Sequence, residues 1–185
     1  MAEVASNQQR QLKDARDRFI ALWGQMASNW GVPRTMAEVH ALLYIAGRPL
    51  NTDDVMDNLA VSRGSAYMTL RSLDEWGIIS RVHLRGDRKE YFQAEQDIWK
   101  LFRTILRERK KREIDPLIEA LRECRNLTGE TGRRKIGPEA SSISAHNSRL
   151  DNMLTFIEMV DALSQRLIAS GKGLQIAAKI LAKAS

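Results

Sequence analysis

The chemistry this sequence offers is the gripping of phosphates and base edges. From Ser62 to Ser72 the run SRGSAYMTLRS sets small, hydroxyl-bearing and basic side chains close together, and from Arg85 to Lys89 the run RGDRK crowds cations around a glycine. Lysine and arginine neutralise phosphates, whereas serine, threonine and arginine can also read base edges. The candidate contacts are Ser62, Arg63, Gly64, Ser65, Met68, Thr69, Arg71 and Ser72 in the first run. Arg85, Gly86, Arg88 and Lys89 are the candidates in the second. Arg63, Arg85, Arg88 and Lys89 suit phosphates; Ser65, Met68, Thr69 and either Arg71 or Ser72 suit bases.

Covalent and metal chemistry has no comparable signal. There is no HExxH, CxxC, GxSxG or dinucleotide fingerprint, and Gly129 to Lys135 lacks the Gly-Lys-Ser/Thr ending of a phosphate loop. His40, His83 and His146 have no pairing with a nucleophile or ligand cluster, and His40 is expected to be solvated or satisfied. Cys124 is the sole cysteine, which rules out an intrachain disulfide and a Cys-rich zinc site and leaves a reduced thiol on a helix face. No enzyme activity, metal or cofactor is expected.

The candidate residues need a scaffold, and the flanking periodicity supplies one. Ser62 is a good N-cap for a helix to Trp76, in which Ala66, Leu70 and Leu73 form the inward side and Gly64, Met68, Arg71, Ser72 and Glu75 the outward side. Before it, a short helix capped by Asn51 or Thr52 buries Val55, Met56 and Leu59, and Val61 anchors the turn in the core. After it, Gly77 stops the helix and Ile78 to Leu84 reads as a strand. Gly86-Asp87 then reads as a two-residue hairpin, with Lys89 to Phe92 returning. Helix, turn, helix and hairpin in that order describe a winged helix-turn-helix with a small β-hairpin wing, within a mainly α fold.

The remaining chain reads as helical. Residues 1–31 hold an amphipathic helix with Leu12, Phe19, Ile20 and Trp23, assigned to dimerisation. Residues 32–95 are the DNA-binding domain, opening on a helix with a Thr35/Glu38 capping box. Residues 96–127 form a long helix, kinked or restarted near Pro116, whose basic run RERKKRE either lies along phosphates or is a solvated face. Residues 128–145 read as a flexible connection. Residues 146–185 form a C-terminal helical dimerisation region: a Ser148/Asp151 capping box opens a stripe of Leu150, Met153, Leu154, Ile157, Val160, Leu163 and Leu167, and Leu174 to Leu181 adds a short last helix.

Composition agrees with an anionic partner. The 185 residues carry a net charge of +6 and are 43% hydrophobic, enough for a core. No apolar run reaches the roughly 18 residues of a membrane span, and MAEVASNQQRQ is no secretory signal, so cytoplasmic residence without membrane contact is expected.

The run VSRGSAYMTLRSLDEWGIISRV, followed by GDRKEYFQAEQDIW and RERKKREIDPLIEALREC, resembles the glycine-betaine synthesis regulator (GbsR) branch of the MarR-like winged-helix transcription factors. The resemblance covers about Phe19 to Cys124. It implies a homodimeric repressor on a pseudo-palindromic double-stranded operator, reading the major groove with the helix from Ser62 and bracing it with the hairpin at Gly86. It also implies a small-molecule effector, since some members respond to choline or related osmolytes. Trp23, Trp30, Tyr44 and Trp99 are the candidate aromatics for a cage around a quaternary ammonium, though aromatics at helical spacing are more usually core. The alternative from another class is a winged-helix module that meets proteins in place of DNA.

Overall fold

The structure, a computed structural model, describes residues 2–128 and 138–170, with side chains for 7–128 and 140–170. The helix expected at Leu174 to Leu181 and the first part of the expected connection lie outside them. Two compact units divide the chain, Met1–Leu101 and Phe102–Ser185.

The first unit begins with α1 (Ala2–Asn29) packed on α2 (Arg34–Ala46). Gly24 permits the close approach, because a Cβ there would stand 2.7 Å from Glu38 Cγ. The expected Thr35/Glu38 capping box does not form. Pro33 precedes the helix without a side-chain cap, Thr35 lies inside it, and Glu38 instead accepts from Arg34 Nε at 2.7 Å. Val39, Ala41 and Leu43 of α2 are fully buried and centre the core.

Next come β1 (Leu50–Asn51), α3 (Thr52–Leu59) and α4 (Arg63–Glu75), then β2 (Ile79–Val82) and β3 (Tyr91–Ala94). Asn51 caps α3 reciprocally: its side chain accepts from Asp54 N at 3.0 Å, and its own N–H donates to Asp54 Oδ2 at 2.9 Å. Val55 is buried as expected, but Met56, Leu59 and Val61 are only half-buried. The sheet has three antiparallel strands in the order β1-β3-β2, one more than the hairpin expected from sequence. Leu50 pairs with Phe92 and Asn51 with Tyr91, while Ile79 to Val82 pair with Ala94 to Tyr91.

The second unit continues α5 (Ile98–Arg109), which begins in the first, through a π-helical turn at Lys110–Ile114 into α6 (Asp115–Leu127). Pro116 lacks an N–H, and in a regular α-helix its ring would crowd the carbonyl of Arg112, a conflict that a wider turn relieves. The backbone stays helical through the expected kink or restart: Ile114 and Asp115 keep right-handed helical angles, without a side-chain cap at Ile114. The RERKKRE run is also not left wholly to solvent. Lys110 pairs with Asp115 and with Asp161 at 2.7 Å, Arg112 with Glu108 at 3.4 Å and Arg109 with Glu113 at 3.7 Å.

The last described helix, α7 (Pro138–Ala169), overrides two expectations. Residues 138–145, read as flexible from their serines, are helical, with Pro138 in the favourable first position. Ser148 therefore lies in mid-helix, and Asp151, in place of a capping role, accepts from Arg125 of α6 at 2.7 Å. Arg122 and Glu158 form a second tie at 2.7 Å. The expected apolar stripe splits: Leu150, Leu154, Ile157, Val160 and Leu167 are half-buried, whereas Met153, Phe156, Met159 and Leu163 are each about half exposed.

Candidate nucleic-acid interface

The buried side of α4 fixes where its other side points. Ala66, Leu70 and Leu73 are at most 1% exposed, so helical geometry turns Arg63, Gly64, Met68 and Arg71 outward. Ser65, Thr69 and Ser72 are half-buried at the margins. Ser62 closes the N-terminus, accepting from Ser65 N at 3.2 Å. Gly64 stands in open space: an added Cβ would meet nothing within 4 Å. Tyr67, absent from the sequence-derived set, is about half exposed beside Met68. Its i, i+4 spacing from Arg63 and Arg71 was the signal that would have placed it there.

The wing differs in detail from the expected hairpin. Strand pairing ends at Val82 and Tyr91, leaving His83 to Glu90 as the loop. Within it, Asp87 N–H donates to Leu84 O at 3.1 Å, so Gly86, with φ +88°, takes the third position of a four-residue turn. Asp87 then organises the descending side. Its carboxylate accepts from Lys89 N at 2.9 Å and from the Tyr91 hydroxyl at 2.8 Å, and these bonds hold its pKa below the ordinary aspartate value. Arg85, Gly86, Arg88 and Lys89 are all exposed.

Their charges are not equally available. Arg63 Nη2 and Lys89 Nζ both donate to Asp53, at 2.6 and 2.9 Å. Arg71 pairs with Glu75 at 3.0 Å. Arg85 and Arg88 have no side-chain partner among the described residues. Arg81, which sequence reasoning passed over, braces the frame: it bonds Asp74 of α4 and Glu90, each at 2.9 Å, and lies 5.9 Å from the Phe92 ring centroid.

A second feature of the same unit is a cavity of about 200 Å³ lined by Phe19, Trp23, His40, Ala41, Tyr44, Ile98 and Leu101. Of the four aromatics considered as a cage, Trp23 and Tyr44 line it; Trp30 and Trp99 do not. His40 is buried and not solvated. It is 4% exposed, its Nε2 has no hydrogen-bond partner among the described residues, and burial pushes its pKa down to about 4, so the ring is neutral at pH 7. Its ring centroid lies 6.3 Å from those of both Trp23 and Tyr44. Among the described residues, no cluster of His, Cys, Asp and Glu could hold a metal ion, and no helix is long and apolar enough to cross a membrane.

An exposed polar helix face beside a basic hairpin is the arrangement of a winged helix-turn-helix, and known proteins share it. A crystal structure of a transcriptional regulator superposes with a TM-score of 0.56, covering 85% of this chain and 98% of that one at 18% identity. In sequence, the HTH-type transcriptional repressor GbsR of Bacillus subtilis (strain 168) is 23% identical over 113 residues, 61% of this chain and 62% of that protein. The chain is similar to the GbsR-type regulators. The putative HTH-type transcriptional regulator YvaV of the same organism is 23% identical over 94 residues, 51% of this chain and 53% of its own length. The HTH-type transcriptional repressor OpcR, also from B. subtilis, is 21% identical over 91 residues, 49% of each. The chain thus spans about half to three-fifths of these relatives. No protein-family model matches it.

Proposed function

We propose that this protein is a sequence-specific double-stranded DNA-binding transcriptional regulator, a cytoplasmic repressor acting as a homodimer. The observation that carries the reading is the outward face of α4 set beside a wing whose Arg85 and Arg88 are unpaired among the described residues. A major groove about 12 Å wide admits such a helix, and unpaired guanidinium groups are available for the phosphates flanking it. Arg63, Arg85, Arg88 and Lys89 position the protein, and Ser65, Met68, Thr69 and Arg71 or Ser72 read bases. The names of the B. subtilis relatives support the same class.

The dimer rests on α7. Met153, Phe156, Met159 and Leu163 share one helical face, each about half exposed, and among the described residues of this unit Ile118 is the buried hydrophobic. A helix pair with so little core requires a further apolar surface, and a second copy supplies one. A two-fold axis places two α4 helices in successive major grooves about 34–36 Å apart, so the operator is a pseudo-palindrome. The effector is a small molecule seated against Phe19, Trp23, His40 and Tyr44, where aromatic faces favour an organic cation and the neutral imidazole does not repel it.

Footprinting and salt-dependent anisotropy titrations on DNA upstream of the protein's own gene test this reading. A protected, two-fold-related sequence with affinity falling steeply in salt is expected, and Ser65→Ala should change the preference among sequences. A protein that binds the upstream DNA no better than an unrelated duplex is instead an interaction module.

A further inference from the structure

Asp53 lies in the first turn of α3, outside both stretches whose residues are candidates for DNA contact, yet it joins them. Its Oδ1 accepts from Arg63 at the start of α4 at 2.6 Å, and its Oδ2 accepts from Lys89 of the wing at 2.9 Å. These two cations converge on separate oxygens of one exposed anion, the grip they would use on the two free oxygens of a DNA phosphate. Neither residue has another side-chain partner among the described residues, whereas Arg71 spends its charge on Glu75 within its own helix. Both bonds depress the Asp53 carboxyl below its usual value, so the anion is fully charged at neutral pH.

We infer that Asp53 is an internal competitor for DNA phosphate, holding Arg63 and Lys89 in the unbound protein and lowering its affinity for every duplex. The inference rests on the DNA-binding reading above. To engage phosphates, Arg63 and Lys89 must leave the carboxylate, which then takes up a counterion of its own. This cost does not depend on base sequence. Asp53 therefore restrains non-specific attachment in a chain of net charge +6. Asp54, the neighbouring carboxylate, has a separate role: it closes the capping box with Asn51, so replacing Asp53 leaves the helix cap in place.

The test compares the full chain with Asp53→Asn and Asp53→Glu in anisotropy titrations over a salt series, on the upstream DNA and on an unrelated duplex. Asp53→Asn should bind both duplexes roughly two- to tenfold more tightly at low salt, the range expected for releasing two exposed ion pairs. The slope of log K against log salt should steepen by about one, and Asp53→Glu should behave as wild type. In an Arg63→Ala/Lys89→Ala background, Asp53→Asn should bring no gain. A purely structural role would lower the melting temperature and weaken binding without altering the slope. Unchanged or weaker binding by Asp53→Asn, while the wild type binds its upstream DNA, overturns this inference alone. A wild-type chain with no salt-sensitive DNA binding overturns the regulator reading and this inference together.

Discussion

Two stretches of this chain have nearly the same composition and different surroundings. The wing, Arg85-Gly86-Asp87-Arg88-Lys89, and the run Arg107-Glu108-Arg109-Lys110-Lys111-Arg112-Glu113 both crowd cations into a few residues. In the run, three of the five cations meet carboxylates: Arg109 with Glu113 and Arg112 with Glu108 one helical turn away, and Lys110 with Asp115 and with Asp161 of α7. In the wing, the turn at Gly86 separates the side chains, and Asp87 spends its acceptors on Lys89 N–H and the Tyr91 hydroxyl. Arg85 and Arg88 are left without a partner among the described residues. A basic sequence thus offers unpaired charge only where the local geometry withholds the acids.

The sharpest way to break this comparison is to remove the charges on each side. Arg85→Ala/Arg88→Ala should weaken binding to any duplex on the order of a thousandfold at low salt, and reduce the salt slope by about two. Arg112→Ala should leave both quantities unchanged in the same titration; equal losses from the two stretches would erase the distinction.

The contrast between met and unmet groups extends to His40. Its pKa falls from 6.5 to about 4 in the folded chain, so between these values the unfolded chain binds the proton more readily. This contribution to stability is complete above pH 6.5 and is lost as the pH falls to 4, by about 3 kcal/mol in all. Urea denaturation at stepped pH should show the loss in the wild type and not in His40→Phe; superimposable profiles would mean that burial does not lower the imidazole pKa.

A smaller effect is expected at Lys110, where Lys110→Met strands two carboxylates. Calorimetry should record a loss of about 1 kcal/mol in stability with DNA affinity intact. Smallest of all, Gly64→Ala should raise stability by up to about 0.5 kcal/mol, since the methyl meets nothing and alanine favours helix. Its operator affinity should nevertheless drop, because in the proposed docking the same methyl stands on the face that α4 turns to DNA.

Much of the helix-turn-helix unit was legible because its signals are local. The helical period placed Ala66, Leu70 and Leu73 inside, and Asn51 and Ser62 announced their caps by residue type. What escaped depends on partners distant in sequence or on elements too short to show a period. The two residues of β1 cannot alternate, so the third strand left no trace. Asp53 looked like a helix-dipole residue, and its bond to Lys89 joins positions 36 apart. Composition misled at residues 138–145, where serines suggested a loop, and at the Gly86-Asp87 pair, which suggested a tighter hairpin than Val82 and Tyr91 close. Phe156 and Met159 were overlooked because the stripe was drawn mostly through the half-buried side of α7, taking only Met153 and Leu163 from the exposed one.

Asn51 has a further consequence, in the order of assembly. It is both the last residue of β1, paired with Tyr91, and the cap of α3. The loop that the β1–β3 pairing closes contains the whole helix-turn-helix, and the chain entropy of that loop must be met before these two strands pair. β3 is the central strand and also pairs with β2 across the short wing loop, so the β1–β3 ladder forms after that hairpin, and its amides should exchange with solvent when the cap of α3 opens. Exchange at the β1–β3 pairing thereby reports whether the helices behind the wing are folded.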